Sequence, residues 1–330
     1  MPEVWFQMVK PTVISTFAGC GGSSLGYKLA GYNELLAVEW DDNAVETFKL
    51  NFPEVKVFHG DIAQLSVEQC LEMANIKVGE LDVFDGSPPC QGFSIAGKRK
   101  FDDPRNSLFK EYARLLKGLQ PKVFVMENVT GMVKGVMKQA YLQIIKTLRE
   151  CGYKAKGEVL NAMYYNVPQS RQRVIIIGVR NDIKIAPTHP KPQTKPVSIG
   201  EAIYGADSTG TPEFNDKYAM LYDKVPKGGN AQNVIGKGFN SCVKPDYFKP
   251  CMTLPKTQTG KGFATICHPT KKRGLSIGEA KRISSFPDNF VFIGKYSEQF
   301  MRIGNSVPPN LMKAIAEHIK INILDKYHGI

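Results

Sequence analysis

The sequence predicts an α/β protein, in which helices cover both faces of a doubly wound parallel sheet and a smaller, irregular domain is attached. Three observations support this fold class. Short apolar runs alternate with helical patterns over the first 180 residues, as in the strand–helix repeats that build a parallel sheet. The run Val174-Ile175-Ile176-Ile177 is apolar on both faces, which is typical of strands buried inside such a sheet. After Arg180 the alternation stops, and an irregular region rich in glycine and lysine begins.

Each element is placed by its local pattern. The predicted strands are Thr12–Phe17, Glu34–Glu39, Val55–Phe58, Leu81–Asp85, Lys122–Glu127 and Arg173–Val179. The predicted helices between them are Ser24–Ala30, Asn43–Asn51, Val67–Ala74, Leu108–Leu116 and Ala140–Glu150. Beyond Arg180, prolines at positions 187, 190, 192 and 196 exclude a continuous helix or a central strand. Helical patterns resume at Ser276–Ser285 and Pro308–Leu324.

Charge and composition indicate the class of partner. The net charge of +12 favours a polyanion, and the segment from Asp182 to Arg282 holds 16 Lys and Arg against 8 Asp and Glu. No apolar run approaches the roughly 18 residues of a membrane helix, and the first residues lack the layout of a secretory signal. We therefore expect no membrane association and a cytoplasmic location. The seven scattered cysteines include no Cys-x-x-Cys pair, so no metal site is expected.

A glycine-rich turn follows the first predicted strand. The turn Ala18-Gly19-Cys20-Gly21-Gly22-Ser23 leads into a helix, which lets a ligand approach the backbone with helix N–H groups facing it. The glycine spacing is not Gly-x-Gly-x-x-Gly, and no phosphate-loop lysine follows. NAD and ATP are therefore both disfavoured.

Two carboxylates refine the identity of this ligand. Glu39 ends the second strand about twenty residues after the glycines, where a carboxylate can accept both ribose hydroxyls. Asp61 ends the third strand, where it can accept the adenine amino group, and Trp40 offers a face on which the adenine can stack. An adenosine pocket without a phosphate site predicts S-adenosyl-L-methionine as the cofactor.

A cysteine follows the fourth strand. In Gly86-Ser87-Pro88-Pro89-Cys90-Gln91-Gly92-Phe93-Ser94, two prolines fix the backbone and present Cys90 as a nucleophile at the carboxyl end of a central strand. Glu127, at the end of the adjoining strand, is expected close enough to act as a general acid. Arg171 and Arg173, spaced by two, are expected to point the same way over the edge of the sheet.

These segments, in this order, closely resemble the DNA cytosine-5 methyltransferase family. Phe17-Ala18-Gly19-Cys20-Gly21-Gly22 is similar to its cofactor loop, and Pro88-Pro89-Cys90-Gln91 to its catalytic loop. Glu127-Asn128-Val129 and Gln169-Ser170-Arg171-Gln172-Arg173 resemble its base-pocket motifs, and Gly304-Asn305-Ser306-Val307-Pro308-Pro309 resembles a segment that returns to the cofactor pocket. The resemblance spans about residues 12–316 and implies a Rossmann-like S-adenosylmethionine-dependent methyltransferase sheet, of the bacterial or phage type.

The resemblance also implies a mechanism through Cys90. Its thiolate adds to carbon 6 of cytosine, carbon 5 then takes the methyl group, a base removes the carbon 5 proton, and Cys90 leaves. Glu127, protonated or sharing a proton, is implied to hydrogen-bond N3 and the 4-amino group, Arg173 to hold O2, and Arg171 to brace the pocket. No metal is needed, and the target base has to be flipped out of the duplex.

Further binding residues are carried over from the same resemblance. Lys98 and Arg99 belong to the loop expected to close behind the flipped base, and Thr253-Leu254 resembles the Thr-plus-aliphatic pair of the family's recognition domains. These four residues are the expected contacts to double-stranded DNA. The expected cofactor-binding residues are Phe17, Gly19, Gly21, Gly22, Glu39, Trp40, Asp61, Ile62, Leu108, Asn305 and Ser306.

The resemblance implies two domains. Residues 11–181 and 300–330 are expected to form the catalytic domain, residues 182–270 a target-recognition domain, and residues 271–299 a hinge that supports it. DNA is expected in the cleft between the domains. The chain is expected to act as a monomer, and a separately acting cognate restriction endonuclease is a further candidate partner.

The sequence departs from the family pattern at three positions. Asn166 stands where glycine is usual, and since both residues tolerate a positive φ, the turn is expected to persist. Gly278 replaces an arginine and Ser284 replaces a glutamine, in the segment that supports the recognition domain of relatives. Local packing, rather than catalysis, is expected to differ there.

Three alternatives stay open at this point. One branch of the family methylates tRNA with the same motifs, although the separate basic domain favours DNA. A catalytically silent cofactor- or DNA-binding protein is disfavoured, because Cys90, Glu127 and Arg173 are all present. A cysteine hydrolase is disfavoured as well, because no histidine lies near any of these motifs.

Overall fold

The structure is a computed structural model, and it describes residues 10–89, 107–236, 241–258 and 264–329. Its strands are β1 (Thr12–Thr16), β2 (Asn33–Glu39), β3 (Lys56–His59), β4 (Val83–Gly86), β5 (Val123–Val129), β6 (Tyr153–Asn161), β7 (Gln169–Ser170), β8 (Gln172–Arg180) and β9 (Cys251–Met252). Its α-helices are α1 (Gly22–Leu29), α2 (Asp42–Asn51), α3 (Val67–Ala74), α4 (Ser107–Leu119), α5 (Lys138–Glu150), α6 (Ile199–Ile203), α7 (Asp216–Lys224), α8 (Gln232–Ile235), α9 (Ile277–Ile283), α10 (Tyr296–Asn305), α11 (Pro309–Ile319) and α12 (Asp325–His328).

The central sheet has seven described strands in the order β3-β2-β1-β4-β5-β8-β6. The strands from β3 to β5 are parallel, and β8 runs antiparallel to both of its neighbours. The α/β class predicted from the sequence is confirmed, but a fully parallel sheet is wrong for β8. This strand reverses because a short connection without a crossover helix joins it to β6, and such a connection can only return the chain antiparallel.

The edge strand β6 was not predicted from the sequence. Lys154, Lys156 and Glu158 alternate along it with Tyr153, Ala155 and Gly157, which are buried or half-buried, so that it lacks the apolar run by which the central strands were recognised. An edge strand with one partner can leave one face in water, and such a strand has no need of two apolar faces. Helices α6, α7 and α10 are further elements that the sequence patterns did not reveal.

Helices cover both faces of the sheet, as the apolar strands predicted. Along β4, Val83 packs on the side of α1 and α11, whereas Phe84 packs on the side of α3, α4 and α5. Helices α1 and α11 pack closely, since a Cβ on Gly26 would lie 2.5 Å from the Cβ of Met312. The last part of the described chain therefore returns to the helix that follows the glycine-rich turn.

Among the described residues, two further apolar clusters extend beyond the central sheet. One joins α2 to the second half of the chain, where Phe48 and Phe52 share a cluster with Leu254, Phe286 and Phe290. The other is small and is formed within residues 214–267 by Tyr222, Val225, Ala231, Cys242, Ala264 and Cys267. The domain boundaries expected from the sequence stay a prediction, since a shared cluster connects the two halves as well.

Two of the three departures from the family pattern concern backbone geometry. Asn166 adopts a φ of 55°, so the turn persists with asparagine, as expected. A Cβ on Gly278 would lie 2.5 Å from the carbonyl oxygen of Asp207. The backbone of the 205–210 loop thus occupies the space that a larger residue at position 278 would need.

Within the described ranges, no helix is long and apolar enough to span a bilayer. The same ranges hold no group of three or more His, Cys, Asp or Glu side chains arranged to bind a metal ion.

Candidate active site

The predicted site residues gather at one edge of the sheet. Because β2, β4 and β5 are parallel, their carboxyl ends meet at the same edge. Glu39 ends β2, Gly86 ends β4, and Glu127 lies two residues before the end of β5. The antiparallel strand β8 begins at this edge, which brings Arg173 beside them.

The glycine-rich turn is held against the chain that precedes α11. Gly19 and Gly21 have φ values of 56° and 95°, a conformation in which glycine carries no strain. A Cβ on Gly22 would lie 2.5 Å from the carbonyl oxygen of Val307 and 2.9 Å from the Cβ of Ser306. Glycine is therefore required by close approach at position 22 and by backbone conformation at positions 19 and 21.

Glu39 organises the turn through its carboxylate. Oε2 accepts a hydrogen bond from the Gly19 backbone N–H at 2.8 Å, and Oε1 accepts from the N–H groups of Trp40 and Asp41, both at 2.9 Å. The residue is 8% exposed. A carboxylate offers about four lone-pair positions, so these three bonds leave one position on Oε2 for a ligand.

The other predicted cofactor residues of this half lie around the same turn. Trp40 is 75% exposed, and the exposed Asp61 uses Oδ1 to accept from the Ala63 N–H at 2.9 Å. Ile62 is buried. Phe17 has a φ of 55°, and both Phe17 and Leu108 pack against the apolar cluster on the α3–α5 face of the sheet.

The last two predicted cofactor residues lie at the end of α10. Asn305 is the final residue of this helix, and the Ser306 hydroxyl donates to the carbonyl oxygen of Arg302 at 2.7 Å. The Cys20 sulfur lies 3.1 Å from the Ser306 hydroxyl. Burial raises the pKa of the Cys20 thiol to about 11, so this cysteine stays protonated at neutral pH.

The strand that leads to the predicted nucleophile is tied to the neighbouring motif. Cys90, Lys98 and Arg99 lie outside the residues that the structure describes. Just before them, the Pro88 carbonyl oxygen accepts a hydrogen bond from the buried Asn128 side chain at 3.0 Å. Asn128 thereby fixes the backbone two residues before Cys90 to the residue that follows Glu127. Sequence reasoning missed this tether, although an amide directly after a predicted catalytic acid was a usable signal.

Glu127 and Arg173 form an ion pair. Oε1 of Glu127 lies 2.8 Å from Nε of Arg173, and both side chains are mostly buried. The Nη1 group of Arg173 also donates to the Gln172 carbonyl oxygen at 2.8 Å. A carboxylate and a guanidinium are thus held together near the carboxyl end of β5, the strand that pairs with β4.

Arg171 turns towards the end of α10. It is 2% exposed, and its guanidinium donates to the carbonyl oxygens of Gly304 at 2.9 Å and Asn305 at 3.4 Å. Among the described residues, its Nε has no hydrogen-bond partner. Burial lowers the pKa of Arg171, the Arg173 charge lowers it further, and Glu127 opposes the shift. The three charged groups of the predicted base pocket therefore lie within electrostatic reach of one another.

The predicted DNA-contact pair, Thr253 and Leu254, makes contacts within the protein. The Thr253 hydroxyl donates to the Ser170 carbonyl oxygen at 3.0 Å, and the Leu254 N–H donates to Oε1 of Gln169 at 3.2 Å. The Leu254 side chain is buried, and Thr253 is partly buried. A DNA contact of these residues stays a prediction. Their connection to the Gln169–Arg173 motif was not predicted.

Known proteins resemble this chain over most of its length. The family model described as C-5 cytosine-specific DNA methylase matches residues 11–321. The chain is 37% identical to the type II methyltransferase M1.HphI of Haemophilus parahaemolyticus over 326 residues, covering 93% of this chain and 86% of that protein. It is 34% identical to the type II methyltransferase M.DdeI of Desulfomicrobium norvegicum, with 93% and 88% covered.

Solved structures share the fold. A prophage-encoded DNA modification methyltransferase of Escherichia coli superposes with a TM-score of 0.80 at 24% identity, covering 96% of this chain and all of that one. A DNMT2 variant of Spodoptera frugiperda superposes with a TM-score of 0.70 at 21% identity, with 94% and 99% covered. At these identities the likeness concerns the fold alone. The sequence relatives and the family match carry the assignment: the chain belongs to the C-5 cytosine-specific DNA methylase family and is a DNA (cytosine-5-)-methyltransferase.

Proposed function

We propose that the chain transfers a methyl group from S-adenosyl-L-methionine to carbon 5 of a flipped-out cytosine, within a specific double-stranded DNA sequence, through a covalent bond between Cys90 and carbon 6. The observation that carries this proposal is the Glu127–Arg173 ion pair. It lies beside the strand that leads to Cys90, and Asn128 ties that strand to the same motif.

The residues of the glycine-rich edge fit the cofactor. Oε2 of Glu39 retains a position for a ribose hydroxyl, and the exposed Trp40 ring offers a stacking face for the adenine. Asp61 caps the following turn with Oδ1 alone, which leaves Oδ2 for the adenine amino group. When bound, the cofactor supplies an electrophilic methyl group on a sulfonium.

The base-pocket residues act on the ring as the thiolate adds. The Cys90 sulfur forms a bond to carbon 6, which turns carbon 5 into the nucleophile that takes the methyl group. Glu127, protonated or sharing a proton with the base, hydrogen-bonds N3 and the 4-amino group and so stabilises the charge that develops there, and Arg173 holds O2. A base removes the carbon 5 proton, the bond between carbon 6 and sulfur breaks, and the thiolate is regenerated.

Arg171 serves this chemistry through its neighbours. Its bonds to the Gly304 and Asn305 carbonyl oxygens join the base pocket to the segment that packs on Gly22. The pocket for the base and the pocket for the cofactor are thereby kept in a fixed relative position, which methyl transfer over a short distance requires.

DNA binding is assigned to two parts of the chain. Lys98 and Arg99 would close behind the extruded base, and the basic region from 182 to 270 would bind phosphates and read the sequence. We further propose that the protein acts as a monomer in a bacterial or phage-infected cytoplasm, with a restriction endonuclease as a separate partner.

A duplex that carries 5-fluorocytosine at the target position tests the covalent step. Fluorine cannot leave as a proton does, so the adduct should accumulate only when the cofactor is present, and Cys90→Ser should form none. The matched control is Cys70→Ala, since Cys70 is buried and burial raises its pKa to about 12. This control should still form the adduct. A cofactor-dependent adduct that survives Cys90→Ser in denaturing gels would contradict the proposal.

A further inference from the structure

Three segments of the chain meet at the start of the Gln169–Arg173 motif. Strand β7 pairs with β9 in parallel, with Gln169 opposite Cys251, and the Cys251 N–H donates to the Pro168 carbonyl oxygen at 3.0 Å. The Thr253 hydroxyl adds a bond to the Ser170 carbonyl oxygen at 3.0 Å. The second half of the chain is thus hydrogen-bonded to the residues directly before Arg171.

The Gln169 carboxamide links all three segments. It is 1% exposed. Oε1 accepts from the Leu254 N–H at 3.2 Å, and Nε2 donates to the Ser284 hydroxyl at 3.1 Å. Ser284 directly follows α9, at the position where the sequence departs from the family pattern. One side chain thus connects the base-pocket motif, the 251–254 strand segment and the end of α9.

The 253–255 segment also lies against the end of α10. A Cβ on Gly304 would lie 2.2 Å from the Pro255 carbonyl oxygen, so the chain passes directly against the end of α10. The Gly304 carbonyl oxygen is the acceptor of the Arg171 bond. The segment that follows β9 therefore lies between Gln169 on one side and the Arg171-bound end of α10 on the other.

We propose that Gln169 is a positioning residue that holds the 251–254 segment at a fixed place relative to the Arg171–Arg173 pocket, and so sets how strictly methyl transfer depends on the DNA sequence. This inference rests on the proposed function, in which the second half of the chain reads DNA. When the connection is rigid, a poor fit between the recognition region and the DNA sequence displaces the cytosine from its reactive position in the pocket. A misplacement of about 1 Å at a reacting centre costs roughly a hundredfold in rate, whereas a loose connection lets the cytosine reach the pocket on a wrong sequence.

Two substitutions loosen the connection to different extents. Gln169→Met keeps the length of the side chain and removes both of its hydrogen bonds. Ser284→Ala removes only the acceptor for Nε2 and leaves the bond from Leu254 in place. The matched control is Tyr153→Phe, which also removes a buried hydrogen bond, from the Tyr153 hydroxyl to the Pro121 carbonyl oxygen at 2.8 Å. That bond lies at the opposite edge of the sheet, because Tyr153 begins β6 and Pro121 precedes β5.

The measurement is the methylation rate of each full-length variant on unmethylated genomic DNA of known sequence, followed by bisulfite sequencing over time. Wild type defines the consensus site, and the readout is the ratio of the rate at this site to the rate at sites that differ by one base. We expect Gln169→Met to lower this ratio at least tenfold while the rate at the consensus site falls less than threefold. Ser284→Ala should lower the ratio by less, and Tyr153→Phe should leave it unchanged.

An equal fall in rate at all sites, with an unchanged ratio, would overturn the positioning role and assign Gln169 to stability alone. Should Gln169→Met fail to fold, Ser284→Ala is read by the same ratio and decides the matter. A wild-type enzyme that methylates no cytosine, or that shows no consensus, would remove the proposed function and this inference together. A wild-type consensus with unaltered variant ratios removes only the inference.

Discussion

Oε1 of Glu127 and Nε of Arg173 lie 2.8 Å apart across the antiparallel strand pair β5–β8. The two residues belong to different motifs of the sequence, and the reversal of β8 is what brings them together. Their pairing means that the proposed base pocket already has opposite charges in contact before DNA binds. A cytosine that enters has to insert its polar edge into an arrangement that is already hydrogen-bonded.

Replacing the carboxylate should separate chemistry from cofactor binding. Glu127→Gln removes the negative partner of Arg173 and weakens the stabilisation of charge on the ring. We expect methyl transfer to fall by about 10²–10⁴-fold, the usual contribution of such a group, with cofactor affinity changed less than twofold. Tritium transfer into DNA and calorimetric titration of the cofactor give the two quantities. A loss of cofactor affinity as large as that of an Asp61 variant would show that Glu127 does not lie over the base.

Glu39 and Asp61 should differ in how much each stabilises the protein when no cofactor is bound. Glu39→Gln places an amide NH₂ among three N–H donors, those of Gly19, Trp40 and Asp41. An unpaired buried donor costs about 1–3 kcal/mol, so both cofactor binding and the free energy of unfolding should fall by this order. Asp61→Asn keeps the Oδ1 cap of the exposed turn, and only cofactor binding should weaken. Calorimetry and urea unfolding on both variants test this split, and equal loss of stability in the two would contradict it.

Close backbone approach at Gly278 and Gly304 predicts intolerance of any side chain. A Cβ at these positions would lie 2.5 Å and 2.2 Å from carbonyl oxygens of Asp207 and Pro255. Gly278→Ala and Gly304→Ala should each lower the free energy of unfolding by about 1–3 kcal/mol, as overpacking does. Gly131→Ala is the matched control, since a Cβ there meets nothing within 4 Å. Thermal unfolding that showed all three variants alike would refute the steric argument.

The buried Asp85 predicts a stability that depends on pH. Burial raises the pKa of Asp85 well above its usual value, and the neighbouring Glu34, whose pKa burial raises to about 7, adds to the shift. The unfolded chain ionises Asp85 near pH 4, whereas the folded chain holds this proton to higher pH because the pKa is raised. The unfolded state therefore binds fewer protons, and this group lowers stability as pH rises.

Asp85→Asn should remove that dependence. The variant should be more stable than wild type at pH 8, and its advantage should grow with pH by up to about 1.4 kcal/mol per unit. The hydrogen bond from the Tyr27 hydroxyl to position 85 can persist with asparagine. Urea unfolding between pH 5 and 8.5 measures the difference. Asp82→Asn is the contrast, because it breaks the 2.6 Å ion pair with Lys122 and should destabilise. An advantage of Asp85→Asn that is flat with pH would contradict the sign of the shift.

Phosphate contacts of the basic region should appear in the salt dependence of DNA binding. Lys249 and Lys256 are exposed and flank the segment from Cys251 to Leu254. Their replacement by alanine should weaken all duplexes about equally and reduce the slope of log affinity against log salt by about one unit per lost contact. Lys146→Ala, on the exposed face of α5, is the control. Fluorescence anisotropy against target duplex, scrambled duplex and a tRNA transcript makes the measurement. Tighter binding and faster methylation of the tRNA would favour the tRNA alternative.

The sequence alone was sufficient for the fold class and the family. This holds because a glycine-rich turn, a Pro-Pro-Cys segment and buried apolar strands are local patterns, each legible within a few residues. The positions of Glu39, Glu127 and Arg173 at one edge could be expected as well, since the carboxyl ends of parallel strands share an edge.

Only the tertiary structure decided which of these residues touch. The Glu127–Arg173 pair depends on the reversal of β8, and the bonds of Arg171 to Gly304 and of Gln169 to Ser284 join residues more than a hundred positions apart. Edge strand β6 could not be recognised from the sequence for a related reason. One of its faces is polar, and its place in the sheet depends on its pairing with β8. Local pattern reports which face of an element is buried. It does not show which residues pack against that face, because the packing of the whole chain determines them.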